Sequence, residues 1–334
     1  MDLWYNTPNR SRRPHAEDRR FIQRITCNFY GKDSIMDIIK KIDIHSHVVA
    51  FPQWVPANRG SGYRMLSAEE LIDMHDQLDI ERGVLLPIVS PEGQSVTMSN
   101  EGCLYTVTNY PDRFSWFCNV DPRAMSNHPT SELSYLLEHY KNLGARGLGE
   151  LTSNLYVDDP RMDNLFSHCE EVGLPVLFHI SPAVGYWYGI VDDLGLPRLE
   201  KMLKKHPNLQ FIGHSQPFWS EMSIENTEET RNNYPTGKVT PGRLVYLMRE
   251  YGNLSCDLSA GSGANALTRD PENAVSFLTE FQDRIYYGCD ICATFNRHPF
   301  TFREFLDGLR ADGAISETVY YKVCRGNAEK LLGL

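Results

Sequence analysis

Eight short apolar runs, each bounded by turn residues and followed by a segment of helical periodicity, constrain this chain more than any other feature. They fall at 41–47 (KIDIHSH), 83–89 (GVLLPIV), 114–120 (FSWFCNV), 145–151 (ARGLGEL), 174–180 (LPVLFHI), 209–215 (LQFIGHS), 254–260 (LSCDLSA) and 285–291 (IYYGCDI). Their length and near-continuous hydrophobicity suit parallel strands buried on both faces. The segments between them open on helix-start signals. Ser67 with Glu70 forms a capping box, and Asp159-Pro160, Thr240-Pro241 and Asp270-Pro271 each place an N-cap before a proline of the first turn. Eight strand–helix units predict an α/β fold of the closed (β/α)8 TIM-barrel type. A doubly wound sheet usually has fewer strands and a glycine-rich first turn, and no G-x-G-x-x-G follows any run.

A length of 334 residues fits one such barrel, which typically takes roughly 250 residues or more. Residues 41–334 are therefore expected to form a single catalytic domain. Residues 1–40 precede the first strand, carry Arg12, Arg13, Arg19, Arg20 and Arg24, and read as an N-terminal extension that packs on the barrel or on another subunit. Residues 216–240, long and polar after the sixth strand, predict a loop that shapes a pocket on the catalytic face.

The net charge of -10 gives no general attraction to phosphate backbones or anionic lipid, so the expected partner is a small-molecule substrate rather than nucleic acid or membrane. The polar, proline-interrupted N-terminus lacks the apolar stretch of a secretory signal, and no run approaches the ~20 apolar residues of a membrane span. Cys118, Cys169, Cys256, Cys289 and Cys324 lie in apolar segments as small buried thiols would, which points to a reducing, cytoplasmic setting. Cys289 and Cys292 form a C-x-x-C without the second ligand pair of a structural zinc site.

The chemistry sits at the strand ends. Side chains two apart in a strand share a face, so Asp43, His45 and His47 are expected to point together into the barrel. Glu150, His179, His214 and Asp290 stand at the carboxyl ends of the fourth, fifth, sixth and eighth strands. Burying so many ionisable groups in one barrel mouth is costly without a compensating cation. Nitrogen and carboxylate donors suit zinc, with manganese(II) or iron(II) as substitutes, in one or two copies. Zinc lowers the pKa of a bound water to about 7, and hydrolysis is the natural use of that effect.

Around the mouth, Trp54, Trp187, Tyr188, Phe218 and Trp219 either stack on a planar substrate, with Trp187 and Trp219 as the leading candidates, or pack the loops together. Arg297 either holds a substrate carboxylate or makes a surface salt bridge. His75, His128, His139, His168 and His206 fall on helices or polar connections and are given no role.

The H-x-H of His45 and His47, followed by histidines after strands five and six and an aspartate after strand eight, resembles the amidohydrolase superfamily. Within it, 158–163 (DDPRMD), 173–179 (GLPVLFH) and 325–332 (RGNAEKLL) are similar to the amidohydrolase-related branch that contains aminocarboxymuconate-semialdehyde decarboxylase and the resorcylate decarboxylases. The resemblance covers about residues 41–334. It implies that His45, His47, His179 and Asp290 bind the metal, that Asp290 also takes a proton from the reacting water, and that His214 is an acid–base residue or a further ligand. Glu150 resembles the bridging ligand of two-metal members; the alternative is a salt bridge to Arg146 or Arg297. Related barrels often form dimers, so a homodimer is expected.

Three functions are compatible with these residues. The first is a hydrolase in which activated water attacks an amide, lactone or ester carbonyl. The second is a non-oxidative decarboxylase of an unsaturated or aromatic acid, and the third a binding barrel without catalysis.

Overall fold

A computed structural model describes residues 38–57, 64–96, 98–185 and 187–334. All eight expected runs contain strands: β1 (Lys41–Ser46), β2 (Ile80–Leu85), β3 (Phe114–Trp116), β4 (Leu148–Leu151), β5 (Val176–Ser181), then, after a ninth strand β6 (Ile190–Val191), β7 (Phe211–His214), β8 (Leu254–Asp257) and β9 (Ile285–Tyr286). β6 pairs with the end of β5 and is too short to show a pattern in sequence. The other eight run parallel as two ladders, β1-β2-β3 and β4-β5-β7-β8-β9. Single bridges join the ladders, Cys118 with Leu148 on one side and Ser46 with Ile291 on the other. Backbone bonds from Ile44 N to Tyr287 O (3.1 Å) and from Asp290 N to His45 O (2.8 Å) reinforce the second seam. The result is a (β/α)8 barrel.

Two apolar layers follow from strand alternation. Leu177 of β5 and Ile212 of β7 join Ile42, Ile44, Val84 and Phe117 inside the barrel, while Val176, Phe178 and Phe211 pack outward against the helices. Ala328 and Leu332 of the last helix, Asn327–Leu332, plug the inner layer from the amino-terminal end. The Asn327 side-chain amide donates to Ile285 O (2.8 Å) and Gln282 O (2.7 Å), so the closing 325–332 segment forms the barrel floor. With its floor filled by hydrocarbon, the barrel leaves only the carboxyl end for polar chemistry.

Strand β1 departs from simple alternation. The carboxylate of Asp43 does not share a face with His45. It accepts from Ser46 Oγ (2.7 Å) and His75 Nε2 (3.1 Å), the latter on helix Ala68–Gln77, and from the backbone N–H of His45 (2.9 Å) and Cys289 (2.8 Å). The β1–β2 register shifts between Asp43 and Ser46. This irregularity turns both Ile44 and His45 inward and leaves Asp43 and Ser46 on the helix side, as a bulge does. His75, assigned no role from its helical position, is thus the buried partner of Asp43.

Helix starts follow the sequence signals with one exception. Ser67 and Glu70 make the reciprocal capping box, and Asp159 and Asp270 cap the helices Pro160–Val172 and Pro271–Glu280. Thr240-Pro241 opens no helix. Thr240 Oγ1 donates to Glu225 Oε1 (2.7 Å), Pro241 bridges Ser223 in antiparallel fashion, and the helix Arg243–Glu250 begins after Gly242. The basic cluster of the N-terminal extension lies outside the described residues. Among the described residues, no helix is long and apolar enough to cross a membrane.

Asp43 satisfies four donors in a region closed to water, with the side chain 0% exposed. Replacing it with alanine orphans all of them. Asp43→Ala should lower unfolding stability by about 3–5 kcal/mol, read as a reduced urea midpoint, with a smaller loss for Asp43→Asn, which keeps one acceptor.

Candidate metal centre

Five elements of the barrel converge on one point above the inner apolar layer. His45 comes from β1 and His47 from just beyond it, Glu150 from β4, His179 from β5, His214 from the end of β7, and Asp290 from the turn after β9. All are buried except Asp290, whose side chain is 21% exposed and so marks the solvent side.

The hydrogen bonds at the rear of the two β1 histidines fix what their front faces present. His47 Nδ1 donates to Leu86 O (3.0 Å), and His45 Nδ1 donates to Asp257 Oδ2 (2.5 Å). Both Nε2 atoms are left facing each other at 3.0 Å. Two imidazole lone pairs at that distance repel unless a cation or a proton lies between them. Carboxylate oxygens surround the same point: Glu150 Oε2 is 3.7 Å from His45 Nε2 and 3.4 Å from His47 Nε2, and Asp290 Oδ1 is 3.8 and 3.6 Å from them.

The protonation equilibria reflect this crowding of acceptors. Burial disfavours a charge on His45, yet the carboxylates of Asp257 and Asp290 hold its pKa well above the ordinary value. Burial likewise disfavours ionised Glu150, but the hydrogen bond from His179 and the nearby rings of His45 and His47 keep its pKa well below the carboxylate range. A pocket that retains a proton on imidazole among ionised carboxylates is one that a divalent cation fits, by displacing that proton. His214 behaves differently: burial and then the neighbouring His45 push its pKa down to about 3, so it stays neutral.

Three sets have ligand atoms all within 4.8 Å of one another: His45, His47 and Glu150; His45, His214 and Asp290; and Glu150, His179 and His214. Glu150 belongs to two of them. Its Oε1 lies 2.9 Å from His179 Nδ1 while Oε2 faces the β1 pair. The alternative pairing with Arg146 or Arg297 is not found, because both carboxylate oxygens of Glu150 are turned to histidines.

No curated protein matches this sequence. The amidohydrolase family profile, however, matches residues 42–334. The chain belongs to the amidohydrolase family. This amidohydrolase also shares its fold with solved structures of low sequence identity. A probable 2-pyrone-4,6-dicarboxylic acid hydrolase from Acinetobacter baumannii, with citric acid bound, is 15% identical at a TM-score of 0.56, over 89% of this chain and 100% of that one. The 5-carboxyvanillate decarboxylase of Sphingomonas paucimobilis is 18% identical at 0.55, over 89% and 100%. A dihydroxybenzoic acid decarboxylase from a Polaromonas species, with bound manganese and 2-nitroresorcinol, is 16% identical at 0.53, over 89% and 98%. Amidohydrolases are metal-dependent, and the convergent His and Glu donors here fit that property.

The residues expected at the mouth of this amidohydrolase are divided by the structure. Trp219 is removed from substrate contact. It is 2% exposed, packs against Phe218 (centroids 5.6 Å apart) and Phe277 (6.0 Å), and its Nε1 donates to Asp257 O (3.0 Å). The reason is that 216–220 forms the short helix Gln216–Ser220 instead of an open loop, which turns Phe218 and Trp219 into the core. Trp187 is 38% exposed, and Tyr188, next in sequence, lies over His179 with ring centroids 4.5 Å apart. Arg297 is exposed at the start of helix His298–Ala311, with its guanidinium over Phe300 at 5.7 Å. Cys289 and Cys292 are separate free thiols, and Cys292 Sγ sits 3.2 Å from Asp290 Oδ1.

Asp257 and Ser259, not singled out from sequence, prove to be part of the centre. Ser259 Oγ lies 2.9 Å from His214 Nδ1 and 2.8 Å from Asp257 Oδ2. The signal was present as D-x-S at the end of the seventh run, the same two-residue spacing as H-x-H in the first.

Because metal and proton compete for the His45–His47 position, metal affinity should fall as pH falls. One proton displaced per ion corresponds to about tenfold per pH unit. Calorimetric titration of zinc in two buffers of different ionisation heat should register that proton release; identical heats in both would contradict the arrangement.

Proposed function

We propose that this amidohydrolase is a metal-dependent hydrolase that opens an amide, lactone or ester bond of a small molecule, using zinc held in two adjoining positions. The observation that carries the reading is the double engagement of Glu150, one oxygen 2.9 Å from His179 and the other 3.4 Å from His47. His45, His47 and Asp290 would hold a cation on one side of Glu150, and His179 and His214 on the other. A divalent cation held there would supply Lewis acidity toward a carbonyl and toward water.

The remaining work belongs to the side chains. Asp290 is the most solvent-accessible acid of the centre, and it faces both the β1 histidines and His214, whose Nε2 is 3.9 Å from Asp290 Oδ2. From there it accepts the proton of the attacking water and returns it to the leaving nitrogen or oxygen. Tyr188, its ring tilted against that of His179 at 4.5 Å, covers that side of the site and limits bulk water. The cytoplasm is the proposed location, since all seven described cysteines are free and buried, as a reducing setting allows.

Purified protein should carry two equivalents of transition metal, and Glu150→Gln should carry one or none and lose about 100-fold or more in kcat/KM. A panel of lactones, N-acyl amino acids and hydroxybenzoates, followed for acid release and for carbon dioxide release, tests the reaction. Acid release from a lactone or amide supports the hydrolase. Carbon dioxide from a hydroxybenzoate, with a single metal equivalent, would replace this reading with a decarboxylase.

A further inference from the structure

We propose that Asp257 and Ser259 act as a positioning relay in which one carboxylate fixes the ring orientation and tautomer of two histidines, His45 and His214. The inference rests on the metal-centre reading of the site, although neither residue belongs to any of the three ligand groups.

The direction of each hydrogen bond follows from counting protons. Asp257 Oδ1 accepts the backbone N–H of Ser259 (2.9 Å). Asp257 Oδ2 accepts from His45 Nδ1 (2.5 Å) and from the Ser259 hydroxyl (2.8 Å); Ser259 Oγ also lies 3.1 Å from His45 Nδ1, whose one proton points to the nearer carboxylate oxygen. A hydroxyl has one proton. With that proton committed to Asp257, Ser259 Oγ can only accept from His214 Nδ1 at 2.9 Å. His214 must then carry its proton on Nδ1 and present an unprotonated Nε2 to the centre. The opposite polarity would set an unprotonated Ser259 oxygen 2.8 Å from a carboxylate oxygen and aim an N–H at the ligand cluster.

No solvent competes for these bonds, since Asp257 and Ser259 are 0% exposed and His214 is 2% exposed. Space for the relay exists because residue 288 is glycine. A Cβ there would stand 2.3 Å from Asp257 Oδ1 and 2.9 Å from Ser259 Cβ. The relay divides the labour: Asp257 holds His45 directly and holds His214 through Ser259. Removing the serine hydroxyl releases the His214 ring, while His45 loses a longer 3.1 Å contact and keeps its 2.5 Å bond to Asp257.

The test reads the tautomer first. In metal-free, full-length protein labelled with 15N, long-range 1H–15N spectra report which ring nitrogen of His214 bears the proton, with His214→Gln supplying the assignment. The wild type is expected in the Nδ1–H form. Ser259→Ala should shift His214 toward the Nε2–H form or a mixture. It should also weaken zinc binding at the position that uses His214 by about 10- to 100-fold in a chelator competition, leaving the tighter equivalent unchanged. Ser259→Cys fills the position with a slightly larger side chain of the same shape and a poorer acceptor and should show the same shift, which separates the effect from a cavity left by alanine. A wild-type His214 protonated on Nε2, or Ser259 variants with unaltered tautomer and zinc affinity, would overturn the relay. A single zinc equivalent in the wild type would instead count against the two-position hydrolase and leave the tautomer result standing.

Discussion

The hydrogen bond from His45 Nδ1 to Asp257 Oδ2 is the interaction on which the centre depends. It turns a buried imidazole from a neutral core residue into one whose Nε2 must face inward, 3.0 Å from the Nε2 of His47. Everything around that point then has a physical reason. Glu150 and Asp290 approach because the centre attracts anionic oxygens once a cation or proton is there, and His214 stays neutral because burial, and then the charge of neighbouring His45, disfavours its protonation. The barrel contributes by holding these groups on separate strands, so no single loop motion can disperse them.

Much of this arrangement was legible in the sequence. Seven of the eight barrel strands could be read because parallel strands buried on both faces need unbroken apolar runs; β2 was also found, but its run was placed three residues late, because Ile80-Glu-Arg opens with charges that face outward. The H-x-H of β1 and the polar residues ending the later strands pointed to the side chains that the fold brings together, since only the carboxyl ends of barrel strands meet solvent. What the sequence hid was local geometry. The bulge that places Ile44 and His45 on the same side of β1 breaks the period-two rule that grouped Asp43 with the histidines. No pattern of residue types announces such a shift, because its cause is a buried bond network linking Asp43 to His75 and Cys289, 32 and 246 positions away.

Trp219 and Asp257 show the same limit from opposite sides. A tryptophan after a barrel strand reads as a lid or a stacking surface, yet five residues of helix suffice to rotate it into the core, where its indole N–H finds the Asp257 carbonyl. Asp257 reads as one more polar residue at a strand end, and its importance appears only when His45 is seen against it. Both are long-range relations, and both concern strand β8, which contributes no ligand in any of the three groups but supports those of its neighbours.

The two seams of the barrel acquire a meaning from the placement of the ligands. Strands β1 to β3 form one ladder and bring His45 and His47; strands β4 to β9 form the other and bring Glu150, His179, His214 and, just past β9, Asp290. Between the ladders the backbone offers single bridges and a few separate hydrogen bonds instead of a continuous ladder. A cation shared by His45, His47 and Glu150 would therefore act as a rivet between two half-barrels, and the affinity of the site for metal would be felt as cohesion of the fold itself.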